Sequence, residues 1–141
     1  MADLRPLRAF SIEKVRNLFR NAQVALRDSR APPEFVSEGR RFDAAYDCAL
    51  ACALLVLECN KVEMTGPGHH IEALKYLAKT LHLKGQTAAA IPAMVQARNN
   101  VRYDAVPLVN EQAVASAIAW AERVLAETEG WLQANQPLAL K

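Results

Sequence analysis

The chain has 141 residues, a length that suits one domain with a hydrophobic core. Hydrophobic residues make up 52% and charged residues 23%, which is typical of a folded protein and argues against intrinsic disorder. The longest apolar run, residues 49–57, is about half of the roughly 20 residues that cross a bilayer, so we expect no membrane span. The net charge of +2 is too small to indicate a nucleic-acid ligand by itself.

The N-terminus and the cysteines predict a cytoplasmic protein. Residues 1–10 contain no apolar segment followed by a small-residue cleavage site, as a secretory signal would. Cys48, Cys52 and Cys59 lie within one apolar segment, and their odd number favours reduced core thiols over disulfides. Because no cluster of histidines and cysteines at ligand spacing accompanies them, we expect no metal and no other cofactor.

Hydrophobic periodicity predicts five helices joined by short loops, with no strand and no repeat. Ser11 and Asn110 are good N-caps for the first and last helices, and Gly85 fits the C-terminal cap of the third. The second helix is apolar on most sides from Ala44 onward, which predicts a central, buried position. The predicted helices cover approximately residues 12–27, 34–60, 69–83, 87–103 and 111–132.

The predicted fold class is therefore all-α, an up-and-down antiparallel bundle of four to five helices. Residues 1–10 are expected to form an N-terminal extension, residues 11–134 the bundle, and residues 135–141 a flexible tail. A homodimer is also predicted, because the second and fifth helices offer more apolar surface than one small bundle buries. Trp120 and Trp131 are candidates for that surface, with a place in the core as the alternative.

The first candidate site consists of Arg98, Asn99, Arg102 and Tyr103, which we expect to bind a ligand through phosphate. The two arginines are one helical turn apart on one face, and such a pair can hold phosphate through bidentate hydrogen bonds. Asn99 adds a neutral donor and acceptor, and Tyr103 could stack on a base. The alternative, which the chemistry alone favours, is that both arginines form ion pairs with carboxylates of the second helix.

Arg41, Asp43 and Asp47 form a supporting set near the start of the second helix. Asp43 and Asp47 are one turn apart and could fix the arginines of the fourth helix. Arg40 or Arg41 could extend a basic patch. The alternative is a solvated, salt-bridged helix face.

His69 and His70 open the third helix and are weak metal-site candidates. Adjacent residues of a helix point about 100° apart, so the two imidazoles would chelate one metal poorly. We expect them to cap the helix or to face solvent.

Together these segments resemble a HEPN domain (higher eukaryotes and prokaryotes nucleotide-binding). The likeness covers residues 12–132 and rests on three short motifs: Arg-Phe-Asp-Ala-Ala-Tyr-Asp from residue 41, Gly-His-His from residue 68, and Ala-Arg-Asn from residue 97 with Arg102-Tyr103. The resemblance implies a helical bundle that often dimerises. It also implies either a metal-independent ribonuclease, including toxins paired with nucleotidyltransferase-type antitoxins, or an inactive module that binds RNA or positions a substrate.

The sequence departs from the active HEPN pattern at the position of its histidine. Arg98 and Asn99 match the arginine and polar residue of that pattern, but Arg102 or Tyr103 stands where the histidine is expected, and no histidine follows Arg98. Arginine stays protonated at neutral pH, and tyrosine, with an ordinary pKa of about 10, is a poor base. The loss of general acid–base help would remove roughly 10²–10⁴ in rate.

The leading hypothesis is therefore a non-catalytic HEPN-like module in which Arg98 and Arg102 line a cleft that binds RNA, a nucleotide or an acidic partner. The alternative is a metal-independent ribonuclease that uses Arg98 with Tyr103, or with His69 or His70 from a dimer partner, as a non-standard acid–base pair. A third hypothesis is a module that binds a protein such as a nucleotidyltransferase or an antitoxin.

Overall fold

A computed structural model of the protein describes residues 3–7, 9–103 and 110–141, except for the side chains of 101–103. Helices dominate, and the predicted all-α class is confirmed. Among the described segments, no helix has the length and apolarity needed to span a bilayer. The elements in chain order are β1 (Asp3–Pro6), α1 (Ile12–Ser29), α2 (Glu38–Cys59), β2 (Val62–Thr65), α3 (His69–Leu81), α4 (Gln86–Ala89), α5 (Ile91–Tyr103), α6 (Glu111–Asn135) and a 3-10 helix (Pro137–Leu140).

The first and last long helices begin at the predicted caps. The Ser11 hydroxyl accepts a hydrogen bond from the Lys14 amide at 3.2 Å, and the Asn110 side chain accepts one from the Ala113 amide at 2.8 Å. The buried carboxylate of Glu58, near the end of α2, accepts a hydrogen bond from the Ser11 amide and forms an ion pair with Lys14. The start of α1 is thereby fixed to the end of α2.

Helix α2 begins later than the sequence predicts, at Glu38 rather than near Glu34. Ser37 is its N-cap, and the Ser37 hydroxyl accepts a hydrogen bond from the Arg40 amide at 3.3 Å. Residues 33–35 form a turn that is closed by a hydrogen bond from the Val36 amide to the Pro32 carbonyl. The helix start is set by a serine cap inside a polar stretch, a signal that hydrophobic periodicity does not contain.

The predicted central position of the second helix is confirmed. Helix α2 packs against α1, α3, α5, α6 and β2. The residues Ala45, Ala49, Cys52 and Ala53 have no exposed surface, and small side chains of this kind let neighbouring helices approach closely. The core of the protein therefore surrounds α2.

The predicted N-terminal extension contains a strand that the sequence pattern does not reveal. β1 pairs with β2 in an antiparallel ladder that joins Asp3 to Thr65 and Pro6 to Val62, and an Arg5–Glu63 ion pair crosses it. All four residues of β1 are exposed, and the strand is only four residues long and ends in Pro6, so its sequence is a weak strand signal. The partner strand also lies more than fifty residues away, beyond the reach of local pattern.

The third helix ends at Leu81, two residues earlier than predicted, and its cap is not Gly85. His82 takes the left-handed conformation with φ 55°, and the next amide, that of Leu83, donates to the Ala78 carbonyl at 2.9 Å. This arrangement satisfies the last carbonyls of the helix. Gly85, with φ 59°, instead precedes α4.

The predicted fourth helix is divided into α4 and α5, and Trp120 lies beside α4. Pro92 is the second residue of α5, and because it has no backbone N–H it cannot continue a helix from α4. Trp120 is buried, and its indole N–H donates to the Thr87 carbonyl at 2.9 Å. Trp120 therefore belongs to the core rather than to an exposed dimer surface, whereas Trp131 is half-buried.

Residues after Asn135 are folded rather than forming the predicted flexible tail. Pro137–Leu140 forms a 3-10 helix, and the Arg16 guanidinium donates two hydrogen bonds to the Leu138 carbonyl, at 3.2 and 2.9 Å. Ala139 is buried against the bundle.

The cysteines are free and buried, as the sequence predicts. A hydrogen bond with Cys48, together with burial, raises the pKa of Cys52 well above its ordinary value. Burial and the neighbouring Glu58 charge raise the pKa of Cys59 to about 11.

These raised thiol pKa values predict that the protein loses stability in alkaline solution. Between the ordinary thiol pKa of 9.0 and the raised pKa of about 11 for Cys59, the unfolded chain releases a proton that the folded chain retains. Stability therefore falls as pH rises through this window. Urea unfolding at pH 8 and at pH 10 should show a lower midpoint at pH 10. The variant Cys59→Ser should show a smaller decrease, and an equal decrease in both proteins would contradict the assignment.

Candidate functional site

Arg98, the arginine of the HEPN-like motif, points from α5 toward α2 and not toward solvent. Its side chain is 8% exposed. Guanidinium atom Nη2 lies 3.1 Å from Asp47 Oδ1, and Nε lies 3.7 Å from Asp43 Oδ1. The structure therefore brings Arg98, Asp43 and Asp47 together. These ion pairs with the second helix are the alternative to phosphate binding that the sequence analysis gives for Arg98.

Tyr46 also belongs to this arrangement, which we call the Arg98 cluster: Arg98, Asp43, Tyr46 and Asp47. The Arg98 guanidinium carbon lies 4.4 Å from the centre of the buried Tyr46 ring, a cation–π contact. Residues 43, 46 and 47 stand three and four positions apart, so α2 presents them on one face. This spacing is present in the sequence, but the predicted site does not include the tyrosine.

The Arg98 guanidinium retains hydrogen-bonding capacity inside the protein. Nη1 and Nε are buried and donate no hydrogen bond within the described part of the chain. A buried charge is stable only when it is paired, and two nearby carboxylates supply that pairing. A phosphate group that approached Arg98 would also approach both carboxylates, which repel it.

Of the other residues of the first candidate site, Asn99 is the one whose side chain the structure describes, and it lies outside the Arg98 cluster. Asn99 is exposed on α5. The backbone of Arg102 and Tyr103 forms the end of α5, but their side chains lie outside the described part of the structure. The phosphate-binding pair of Arg98 and Arg102 therefore stays a prediction. Arg98, the arginine whose side chain is described, forms ion pairs with two carboxylates.

Arg41 has a different role from the predicted basic patch. It is buried, its Nε donates to the Val36 carbonyl at 3.1 Å, and its guanidinium forms an ion pair with Glu111. Since Glu111 is the first residue of α6, Arg41 connects the start of α2 to the start of α6.

His69 and His70 are the first two residues of α3, directly after a turn. His69 is exposed, and its Nδ1 lies 3.1 Å from the Gly66 carbonyl oxygen. Its ring meets that of His70 edge-on, with the centroids 4.3 Å apart. Gly68 has φ 74° and offers no side-chain cap. The described residues contain no group of three or more His, Cys, Asp or Glu side chains that could hold a metal ion.

A second feature, which the sequence pattern does not predict, is an apolar groove between α1 and α2. Its volume is about 410 Å³. Val24 and Leu54, which line the groove, are 37% and 39% exposed. Asp47 belongs both to this groove and to the Arg98 cluster. The residues that line the α1–α2 groove are Leu18, Asn21, Val24, Ala25, Asp28, Asp47, Leu50, Ala51 and Leu54.

Comparisons of the chain with protein-family models, with curated proteins and with solved structures found no match.

We predict that removal of the Arg98 charge destabilises the fold. Arg98→Met leaves Asp43 and Asp47 beside an apolar side chain and should lower the free energy of unfolding by about 2–3 kcal/mol, somewhat less than for a fully buried pair, because both carboxylates reach solvent in part. Denaturant unfolding followed by circular dichroism measures this change.

Arg20→Met is the matched control for this substitution, because Arg20 is an exposed arginine on α1. It should change the unfolding free energy by no more than about 0.5 kcal/mol. Equal midpoints for the two variants would show that the Arg98 cluster does not support the fold.

Proposed function

We propose that the protein is a non-catalytic helical module, similar to the inactive members of the HEPN family, and that it acts by binding another protein. The observation that carries this proposal is the engagement of Arg98 by Asp43 and Asp47, at 3.7 and 3.1 Å. An arginine that is buried and neutralised in this way has lost the two properties that phosphate recognition requires, namely access and an uncompensated positive charge.

The positions of the histidines further support a non-catalytic role. A HEPN ribonuclease would need a base near the motif arginine to take the proton of the RNA 2′-hydroxyl. His69 and His70 lie at the start of α3 and His82 follows its end, whereas the chain after Arg98 has no histidine. A base must come within about 3 Å of the proton it removes. The motif arginine therefore lacks the histidine that would follow it in an active member of the family.

The character of the surface favours a protein as the partner. The α1–α2 groove combines exposed aliphatic side chains with a rim of Asn21, Asp28 and Asp47. Protein interfaces have apolar centres with polar rims, whereas nucleic-acid interfaces are strongly cationic. The two aspartates would repel an RNA backbone. A nucleotidyltransferase or an antitoxin is the class of partner that the HEPN resemblance implies.

We expect the purified protein to leave RNA intact. The test is incubation of the protein with total RNA and with a short fluorescent single-stranded RNA, in buffer with and without Mg²⁺. Fragment analysis should show no products above the level of a buffer blank. The variants Arg102→Ala and Tyr103→Phe should give the same result as the unmodified chain.

Cleavage that falls by roughly 10²-fold or more in Arg98→Lys or Tyr103→Phe, with the folded state verified by circular dichroism, would overturn the proposal and establish the ribonuclease. Binding of the fluorescent RNA that Arg102→Ala abolishes would establish instead an RNA-binding module. A protein partner should bind the chain in a fixed stoichiometry, and this complex should persist after ribonuclease treatment.

A further inference from the structure

We infer that a groove between α4, α5, α6 and the turn after α3, which we call the α4–α6 groove, binds a short acidic peptide segment of a partner protein, in which a large apolar side chain stands next to a carboxylate. The inference rests on the proposed function only in taking the partner to be a protein. It adds the chemistry of that partner, and it concerns a surface that shares no lining residue with the α1–α2 groove.

One part of the α4–α6 groove is cationic. It has a volume of about 290 Å³, and His82, Lys84 and Arg123 line it together with the carboxylate of Glu127. The ion pairs that form within the described part of the chain do not include Lys84, Arg123 or Glu127. The two cationic side chains therefore outnumber the carboxylate and are not neutralised by other ion pairs. An anionic group is the ligand that this part of the groove favours.

The other part of the α4–α6 groove is apolar. It has a volume of about 460 Å³, and its walls include Met94 of α5 with Ala119 and Trp120 of α6. Met94 is half-buried, and its flexible thioether side chain can adapt to the shape of an apolar guest. A large apolar side chain that enters this part leaves water, which favours binding.

The two parts meet at Thr87 and Arg123, which line both of them. The Trp120 indole N–H donates to the Thr87 carbonyl at 2.9 Å, so the backbone at this junction is fixed to α6. The turn before it is also hydrogen-bonded, because the Leu83 amide donates to the Ala78 carbonyl at 2.9 Å. A groove with a fixed shape loses little conformational entropy when a ligand binds. A ligand that occupies both parts must carry an anionic group close to a large apolar one.

The open outer side of the groove favours a peptide over a free amphiphilic acid such as a fatty acid. Gln86, Ser116 and Arg123 line this side and are exposed. A fatty acid would leave part of its chain in water there, whereas a peptide presents polar backbone groups, which the Gln86 amide and the Ser116 hydroxyl can bind. Tryptophan, methionine and arginine are also enriched at protein interfaces. A nucleic-acid base would need the face of an exposed aromatic ring, and Trp120 is only 6% exposed.

Selection of peptides from a random display library on the purified protein tests the chemistry of the partner. We expect the enriched peptides to combine a large apolar residue with Asp or Glu at a neighbouring position. The double variant Lys84→Gln/Arg123→Gln should weaken the binding of a selected peptide by about tenfold or more, as expected when hydrogen bonds to charged groups are lost. The matched control is Arg20→Gln/Lys61→Gln, which removes an exposed arginine and an exposed lysine outside the groove and should leave the affinity unchanged.

The two tryptophans of the chain show where the peptide binds. In ¹⁵N-labelled protein, Trp120 and Trp131 each give one indole N–H signal, and the variant Trp131→Phe assigns them. Titration with a selected peptide should shift the Trp120 signal and leave that of Trp131, which does not line the groove, in place.

Filling the apolar part of the groove provides a test that changes no charge. The variant Ala119→Trp should abolish binding of the peptide, because the indole would occupy the space that the apolar side chain needs. Ala126→Trp is the matched control, since Ala126 is an exposed alanine of the same helix that does not line the groove. Circular dichroism verifies that each variant is folded.

Selected peptides that bind the two double variants equally well, or that leave the Trp120 signal in place, would overturn the inference. Decanoate is titrated in the same way, and a saturable shift of the Trp120 signal with decanoate but with no peptide would assign the groove to a small amphiphilic acid instead. Failure of the proposed non-catalytic role would appear differently, as RNA cleavage or as RNA binding that Arg102→Ala abolishes.

Discussion

The packing of the last helices on α2 depends on two buried arginines. Arg98 reaches from α5 to Asp43 and Asp47, and Arg41 reaches from α2 to Glu111 at the start of α6. A guanidinium remains charged inside a protein, so each of these side chains is stable only where its carboxylate is correctly placed. The buried charges therefore add a directional constraint that apolar packing lacks, and they fix how α5 and α6 are arranged around α2.

The long helices could be predicted because their signals are local. Ser11 and Asn110 cap α1 and α6 through hydrogen bonds from residues three positions away. Apolar residues on most sides of α2 specify its central place in the bundle. The β1–β2 ladder could not be predicted in the same way, because its strands are four residues long and the whole of α1 and α2 separates them in the chain. The break before α5 can be predicted from the sequence, because Pro92 cannot donate the hydrogen bond that a continuous helix needs there.

The candidate site was predictable only in part, for a related reason. The spacing of Asp43 and Asp47 indicates that both face one neighbour, and Arg98 is that neighbour. Nothing local indicates that Arg41 turns instead toward Glu111, seventy positions along the chain. The α1–α2 groove could not be predicted from the sequence. Val24 and Leu54 are partly exposed there because of how α1 and α2 pack together, and the pattern of either helix alone does not contain that information.

Asp47 connects the interior of the protein to its surface. One of its oxygens neutralises the buried Arg98, and its remaining exposed surface lies at the edge of the α1–α2 groove. The ion pair with Arg98 restricts the orientation of the Asp47 side chain. A contact made by Asp47 at the surface would therefore cost little further side-chain entropy. A charge fixed in this way contributes more to a specific contact than a mobile surface carboxylate does, because most surface ion pairs lose their Coulomb gain to ordering and screening. Under the proposed function, Arg98 would then serve recognition indirectly, by holding a carboxylate in place for a protein partner.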